Sequence, residues 1–236
     1  AMYQQYSPPK FNILPPVCKN LLIINVIAFL ATYVFKMRGI DLSDIFGLHF
    51  FASDNHYFWQ YITYAFFHAN FSHLFFNMFS LFMFGRLLER VWGSKRFLIF
   101  YFVCGIGAAL VQEAVAGLTV MYVETKMSSD AVDMVLTQGY SVFQQGMTYR
   151  DPMLQMLHQA IYSPVVGASG AIFGILLGFA FVFPNMPLYL MFIPVPIKAK
   201  WMVIGYAVLE FWFGVSGTMS TVAHFAHLGG MLFGLL

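Results

Sequence analysis

Gly167-Ala168-Ser169-Gly170-Ala171-Ile172-Phe173-Gly174-Ile175-Leu176-Leu177-Gly178 sets a serine between glycines at the mouth of an uninterrupted apolar run. Polar and ionisable side chains are costly in hydrocarbon, so one that opens such a run is expected to have a function. A second such residue, His227, stands near the start of another apolar segment, Val222 to Leu236. The rest of the chain has to explain a nucleophile-type group and a base-type group at the mouths of two membrane-grade helices.

The chain as a whole has the same character: 60% of its 236 residues are hydrophobic, 19% aromatic and only 9% charged. Soluble domains carry roughly 25% charged residues, so this is a polytopic membrane protein, in contact with membrane lipids, and an all-α fold is expected from its long apolar runs. A formal charge of +2 is too small to imply nucleic acid. Cys18 and Cys104 lie in a terminal segment and mid-span, which gives neither a disulfide framework nor a metal site. Ala1 ahead of Met2 reads as an added residue, and the run that stops at Leu236 is expected to continue in the natural protein.

Six segments reach or approach the roughly 20 apolar residues that a bilayer requires. They are Leu21–Phe35, His73–Leu88, Phe97–Val115, Val165–Phe183, Ala199–Val215 and Val222–Leu236, preceded by an N-terminal segment 1–20. The first has no A-x-A cleavage site and runs into Lys36-Met37-Arg38, so it is a retained span rather than a signal peptide. Trp59 to Phe71 is aromatic but too short to cross, and belongs in the interface or one leaflet. Pro187, Pro194 and Pro196 break the apolar stretch 186–197 into a loop against the membrane.

Alternating sides of six spans put Lys10, Lys19, Arg86, Arg90, Lys95, Arg96, Lys198 and Lys200 on one face, and Lys36, Arg38, Lys126 and Arg150 on the other. The positive-inside rule then makes the N-terminus cytoplasmic. The long polar insertion at 116–162 falls on the outer face. Within it Asp151-Pro152 reads as N-cap and first helical residue, followed by a broad apolar stripe from Met153 to Ile161.

On this topology His73 and Asn77 lie in the first turns of span two. Ser169 lies in those of span four, and His227 about one and a half turns into span six. All four fall at similar depth in the outer leaflet. His73 and Asn77 are four apart, hence stacked on one helix face. Gly170, Gly174 and Gly178 on one span, with Ala226, Gly230 and Gly234 on the other, form small-residue stripes that let helix backbones approach closely. Close approach would bring Ser169 within hydrogen-bond reach of His227, which is how a serine nucleophile is activated.

His73-Leu-Phe-Phe-Asn77, Gly167-Ala-Ser169-Gly170 and Ala226-His227-Leu-Gly-Gly230, in this order, resemble the rhomboid family of intramembrane serine proteases. The resemblance covers the six-span core, 21–236. It implies a six-helix rhomboid bundle in which Ser169 is the nucleophile and His227 the general base. It also implies that His73, Asn77 and the Ser169 backbone N–H stabilise the oxyanion, without a cofactor or metal. The implied substrate is another protein's transmembrane segment, cut near the outer face in a membrane such as the bacterial inner membrane. Entry is implied beside span five, where Phe211, Trp212 and Phe213 could form a gate; aromatic packing explains them equally well. A third, orienting acid is not evident, and Glu210 in span five reads as a buried packing group. His224 and His68 read as structural histidines near the mouth, and His49, His56 and His158 as undistinguished loop histidines.

One departure from the family pattern is Trp59-Gln60 where a Trp-Arg pair is common, which leaves open how the first loop is anchored. No H-E-x-x-H run is present, and every Asp lies in a loop, which removes the two other intramembrane protease classes. A histidine proton relay of the transporter type would call for inverted-repeat halves, which are not visible. The remaining alternative is a rhomboid-like protein that binds and escorts spans without cutting them.

Overall fold

Helix α1 (Pro16–Lys36) begins on Pro15-Pro16, where a proline in the first turn forfeits no helical hydrogen bond. Its next two N–H groups are held by a distant residue. Val17 N and Cys18 N donate to the two carboxylate oxygens of Glu89 at 2.9 and 2.8 Å, and the Ser94 hydroxyl donates to the same carboxylate at 2.7 Å. Glu89 is 2% exposed and is a negative charge at a helix N-terminus, where the peptide dipoles favour it. Glu89→Ala would orphan three donors, one buried and two half-buried, and is expected to cost about 3 kcal/mol. A clear fall in melting temperature in detergent would register it; an unchanged melt would show that water replaces the carboxylate.

The computed structural model describes residues 13–189, 195–216 and 223–236. After α1 come two short helices, α2 (Leu42–Phe46) and α3 (Gln60–Thr63), the latter running into a 3₁₀ turn at Tyr64–Phe66. Helix α4 (Phe71–Ser80), a π-helical turn (Leu81–Gly85) and α5 (Arg86–Trp92) form one continuous apolar rod, and α6 (Ser94–Glu124) follows directly. Next are α7 (Ser129–Gln144), α8 (Pro152–Tyr162) and α9 (Ser169–Val182). An antiparallel pair, β1 (Pro187–Leu188) and β2 (Ile197–Lys198), then leads into α10 (Ala199–Ser216) and α11 (His224–Phe233). Each of the six expected spans corresponds to a helical rod. Among the described residues three of them, Pro16–Lys36, Phe71–Trp92 and Ser94–Glu124, are long and apolar enough to cross a membrane.

The centre is the mutual packing of α6, α9 and α11. It is as tight as the small-residue stripes require. A Cβ on Gly230 would overlap the carbonyl of Gly170, and one on Gly174 would fall on Cys104 of α6 and 3.0 Å from the Gly230 carbonyl. Backbone therefore lies on backbone at the level of Ser169 and His227. The stripes diverge one turn further on. Gly178 faces Trp92, Phe100 and Leu88 rather than α11, and Gly234 has Phe100 at 3.4 Å. Large side chains from α5 and α6 fill that end.

The insertion is more structured than its polarity indicates. Helix α6 runs on past Val115 to Glu124, and α7 and α8 fold back on it around Val123, Val132, Val135, Leu154 and Leu157. Asp151 caps α8 as expected, accepting from Met153 N and Leu154 N, and the apolar stripe of α8 packs on protein. His158 is a correction: it lies on α8, is buried, and pairs through Nε2 with the Gly139 carbonyl at 2.9 Å. His49 is likewise buried, with Nε2 2.8 Å from the Asp44 carbonyl, and burial pushes its imidazole pKa down.

The insertion also grips the loop between α1 and α4. Tyr140 Oη donates to Asp44 at 3.1 Å, and Phe50 joins the insertion's apolar cluster. Gln60 anchors that loop from within. Its carbonyl oxygen accepts from His49 N and Tyr57 N at 3.2 Å each, while its amide nitrogen donates to the Ile45 and Asn55 carbonyls at 3.2 and 2.9 Å. A neutral carboxamide with both donors and both acceptors used can be fully buried at little cost, so this chain needs no arginine there.

Candidate active site

Ser169 is the first residue of α9, and the chain reaches it along a fixed path. Leu48 and Val165 exchange N–H···O bonds of 2.9 Å, and Gly167 N donates to the Tyr64 carbonyl at 2.9 Å. Gly167 then turns with φ of 131°, which L side chains rarely adopt. The earliest bond into α9 is Ile172 N to Ala168 O, so the N–H groups of Ser169, Gly170 and Ala171 have no partner within the helix. The serine thus sits where a helix presents free donors and the positive end of its dipole.

His227 meets it from α11, with Nε2 2.8 Å from Ser169 Oγ. The imidazole is 7% exposed and lies flat on Phe173, ring centres 4.4 Å apart and planes 6° from parallel. Phe173 is one turn after Ser169 on the same helix face, so one helix supplies both the nucleophile and the surface that orients its base. With Nε2 accepting from the serine hydroxyl, the ring hydrogen resides on Nδ1.

That Nδ1 faces a carboxylate. Glu210 Oε2 lies 3.0 Å from His227 Nδ1, off the line of a full hydrogen bond, and 2.7 Å from His224 Nδ1. Glu210, read from sequence as a buried packing group, thus has its carboxylate against the base, while His224 is buried and partnered, as a structural histidine near the mouth would be. The register of α10 turns Glu210 inward. Tyr206, one turn earlier, packs its ring near Phe173, and Phe213 packs near His224, so 206, 210 and 213 share the inner face. An acid on an apolar helix was the signal, but only the packing of α10 on α11 shows which histidines it serves.

Glu210, His224 and His227 each offer one donor atom, all within 4.8 Å of one another. Tetrahedral metal coordination at about 2.0–2.1 Å would hold donor atoms roughly 3.3 Å apart. The Glu210 oxygen is already closer than that to both rings, as in direct charge-assisted contact.

His73 and Asn77 approach from α4, whose N-terminus is capped by Asn70 accepting from His73 N at 2.9 Å. The His73 ring lies over Gly167, where a Cβ would meet its Cε1 at 2.6 Å and Nε2 at 2.7 Å; that Cβ position is 3.5 Å from Ser169 Oγ. The glycine is thus required twice, by its φ and by this ring. Asn77, one turn on, is 6% exposed, and its amide Nδ2 is buried with no acceptor among the described residues. His68 packs edge-on against His73 at 5.0 Å. Burial first, and His73 second, push the His68 pKa down to about 3, so it adds no positive charge near neutral pH.

The three expected gate residues do not act alike. Phe211 and Trp212 are 59% and 66% exposed and point away from the bundle, whereas Phe213 turns toward His224. Alternation around α10 is the reason: with Glu210 inward, 211 and 212 must face outward.

Residues 55–236 match the family model for the Rhomboid domain. Three curated relatives agree. Rhomboid-like protein 11, chloroplastic, of Arabidopsis thaliana is 27% identical over 92% of this chain and 62% of its own length. Rhomboid protein 1, mitochondrial, of Saccharomyces cerevisiae is 31% identical over 73% of this chain and 38% of its own. Rhomboid protease GlpG of Haemophilus influenzae is 28% identical over 45% of this chain and 56% of its own. The chain thus spans less than two thirds of the length of each.

Proposed function

This chain belongs to the rhomboid family, and on that premise we propose that it is an intramembrane serine endopeptidase working through Ser169 and His227. It is a multi-pass membrane protein. The observation that carries the proposal is the 2.8 Å contact between Ser169 Oγ and His227 Nε2 inside an apolar bundle. His227 takes the hydroxyl proton as Oγ attacks the scissile carbonyl, and returns it to the leaving amine. The charge on the carbonyl oxygen is met by the Ser169 N–H, His73 Nε2 and Asn77 Nδ2, donors held in place before the reaction.

The helix lengths suit this chemistry. Helix α9 has 14 residues, about 21 Å at 1.5 Å each, against a hydrocarbon core of about 30 Å. In a six-span arrangement with a cytoplasmic N-terminus, Ser169 then stands below the outer surface and within reach of water. The substrate is a transmembrane segment that unwinds locally, because helix hydrogen bonds hide the scissile carbonyl. It enters between α4 and α10, whose outward faces carry Phe71, Phe75 and Phe79 on one side and Phe211 and Trp212 on the other. A bacterial inner membrane is the proposed location.

The second reading, a protein that binds spans without cutting, is disfavoured by the contact between serine and base. A fluorophosphonate probe separates the two. The wild-type protein is expected to label at Ser169, and no labelling in either detergent or liposomes would overturn the protease reading.

A further inference from the structure

We infer that Glu210 is a positioning residue for His227, which makes the functional unit a Ser169–His227–Glu210 set of three rather than a pair. This rests on the protease reading and extends it to a residue the three sequence motifs do not contain. The two ring nitrogens of His227 have different partners: Nε2 meets Ser169 Oγ at 2.8 Å and Nδ1 meets Glu210 Oε2 at 3.0 Å. A carboxylate at Nδ1 fixes the tautomer that leaves Nε2 free to accept, and stabilises the imidazolium once the serine proton has arrived. Glu210 itself takes no proton. The proton passes from Oγ to Nε2 and then to the leaving amine, and the carboxylate stays charged throughout.

His224 has a part in the same device. Its Nδ1 is 2.7 Å from Glu210 Oε2, so the carboxylate is held between two imidazoles, one from each end of the first turn of α11. The side chain of Glu210 is 15% exposed and is the one acid of a helix that is apolar over most of its length. A carboxylate in such surroundings is costly unless paired, and both pairing groups belong to the site. Phe173 fixes the plane of the His227 ring and Glu210 fixes its rotation within that plane.

The test compares wild type, Glu210→Gln and Glu210→Asp in liposomes on a transmembrane substrate, with kcat, KM, the pH profile of kcat and the melting temperature measured together. The charged or titratable groups facing His227 are Glu210 from α10, His224 from its own helix and His73 from α4. Only the first is altered. Glu210→Gln is expected to lower kcat by about 10²- to 10³-fold, with KM within a few-fold and melting nearly unchanged. The acidic limb of the profile should move down by about one pH unit, because the imidazolium has lost its counter-charge. Glu210→Asp should restore that limb and part of kcat.

Wild-type kcat in Glu210→Gln, or a loss of kcat that follows a fallen melting temperature with the limb unmoved, would overturn the inference. If the Gln variant does not fold, Glu210→Asp decides alone: reduced kcat with the wild-type limb supports positioning, and wild-type kcat overturns it. A wild-type protein that fails to label with fluorophosphonate would instead sink the protease reading itself, so the two failures are distinguishable.

Discussion

Ser169→Ala is expected to abolish cleavage of a transmembrane substrate, by about 10⁴-fold or more, while expression and melting stay close to wild type. The removed oxygen is the one 2.8 Å from His227 Nε2. The alanine that replaces it keeps the backbone, and the helix N-terminus needs no side-chain cap there. His227→Ala should match that loss, and the double variant should be hardly worse than either single one, since members of a catalytic unit are strongly non-additive. The His227 change should cost more in melting, because it also strips a stacked ring from Phe173 and leaves Glu210 with one partner. Comparable turnover by Ser169→Ala, in detergent and in liposomes, would sink the protease assignment.

Asn77→Ala should lower kcat by roughly 10²-fold, with little change in KM and with fluorophosphonate labelling retained. The loss is graded because the Ser169 N–H and His73 remain. Stability makes this test sharper. The Asn77 amide is already buried without an acceptor among the described residues, so removing it takes away a desolvated donor rather than a satisfied one. Melting should therefore hold within a few degrees. A structural asparagine would behave in the opposite way, with a marked fall in melting and unchanged turnover per folded molecule. His73→Ala should resemble Asn77→Ala in kcat but also loosen Gly167, whose backbone lies under the ring.

The amino-acid sequence by itself determined the helical membrane class, the position of each rod, the Asp151 cap and the meeting of Ser169 with His227. Those properties are local or periodic. Apolar runs need enough length to cross hydrocarbon, and small residues every fourth position fix which faces approach. Gly170, Gly174 and Gly230 met as that spacing requires, whereas Gly178 and Gly234 did not, because Trp92 and Phe100 from distant parts of the chain fill that end. What only the tertiary structure decided were contacts between residues unrelated in any short pattern. Gln60 closes a loop with four hydrogen bonds that no motif encodes, Glu89 caps a helix 71 residues away, and the polar insertion gains a second helix, α7, and packs with α8 onto the first loop. Glu210 is the sharpest case. Its helix carries no motif, and whether it faces lipid, packing or the base depends on the rotation of α10 about its own axis. That rotation is set by Tyr206 on Phe173 and Phe213 on His224, pairs that exist only once α9, α10 and α11 have packed together.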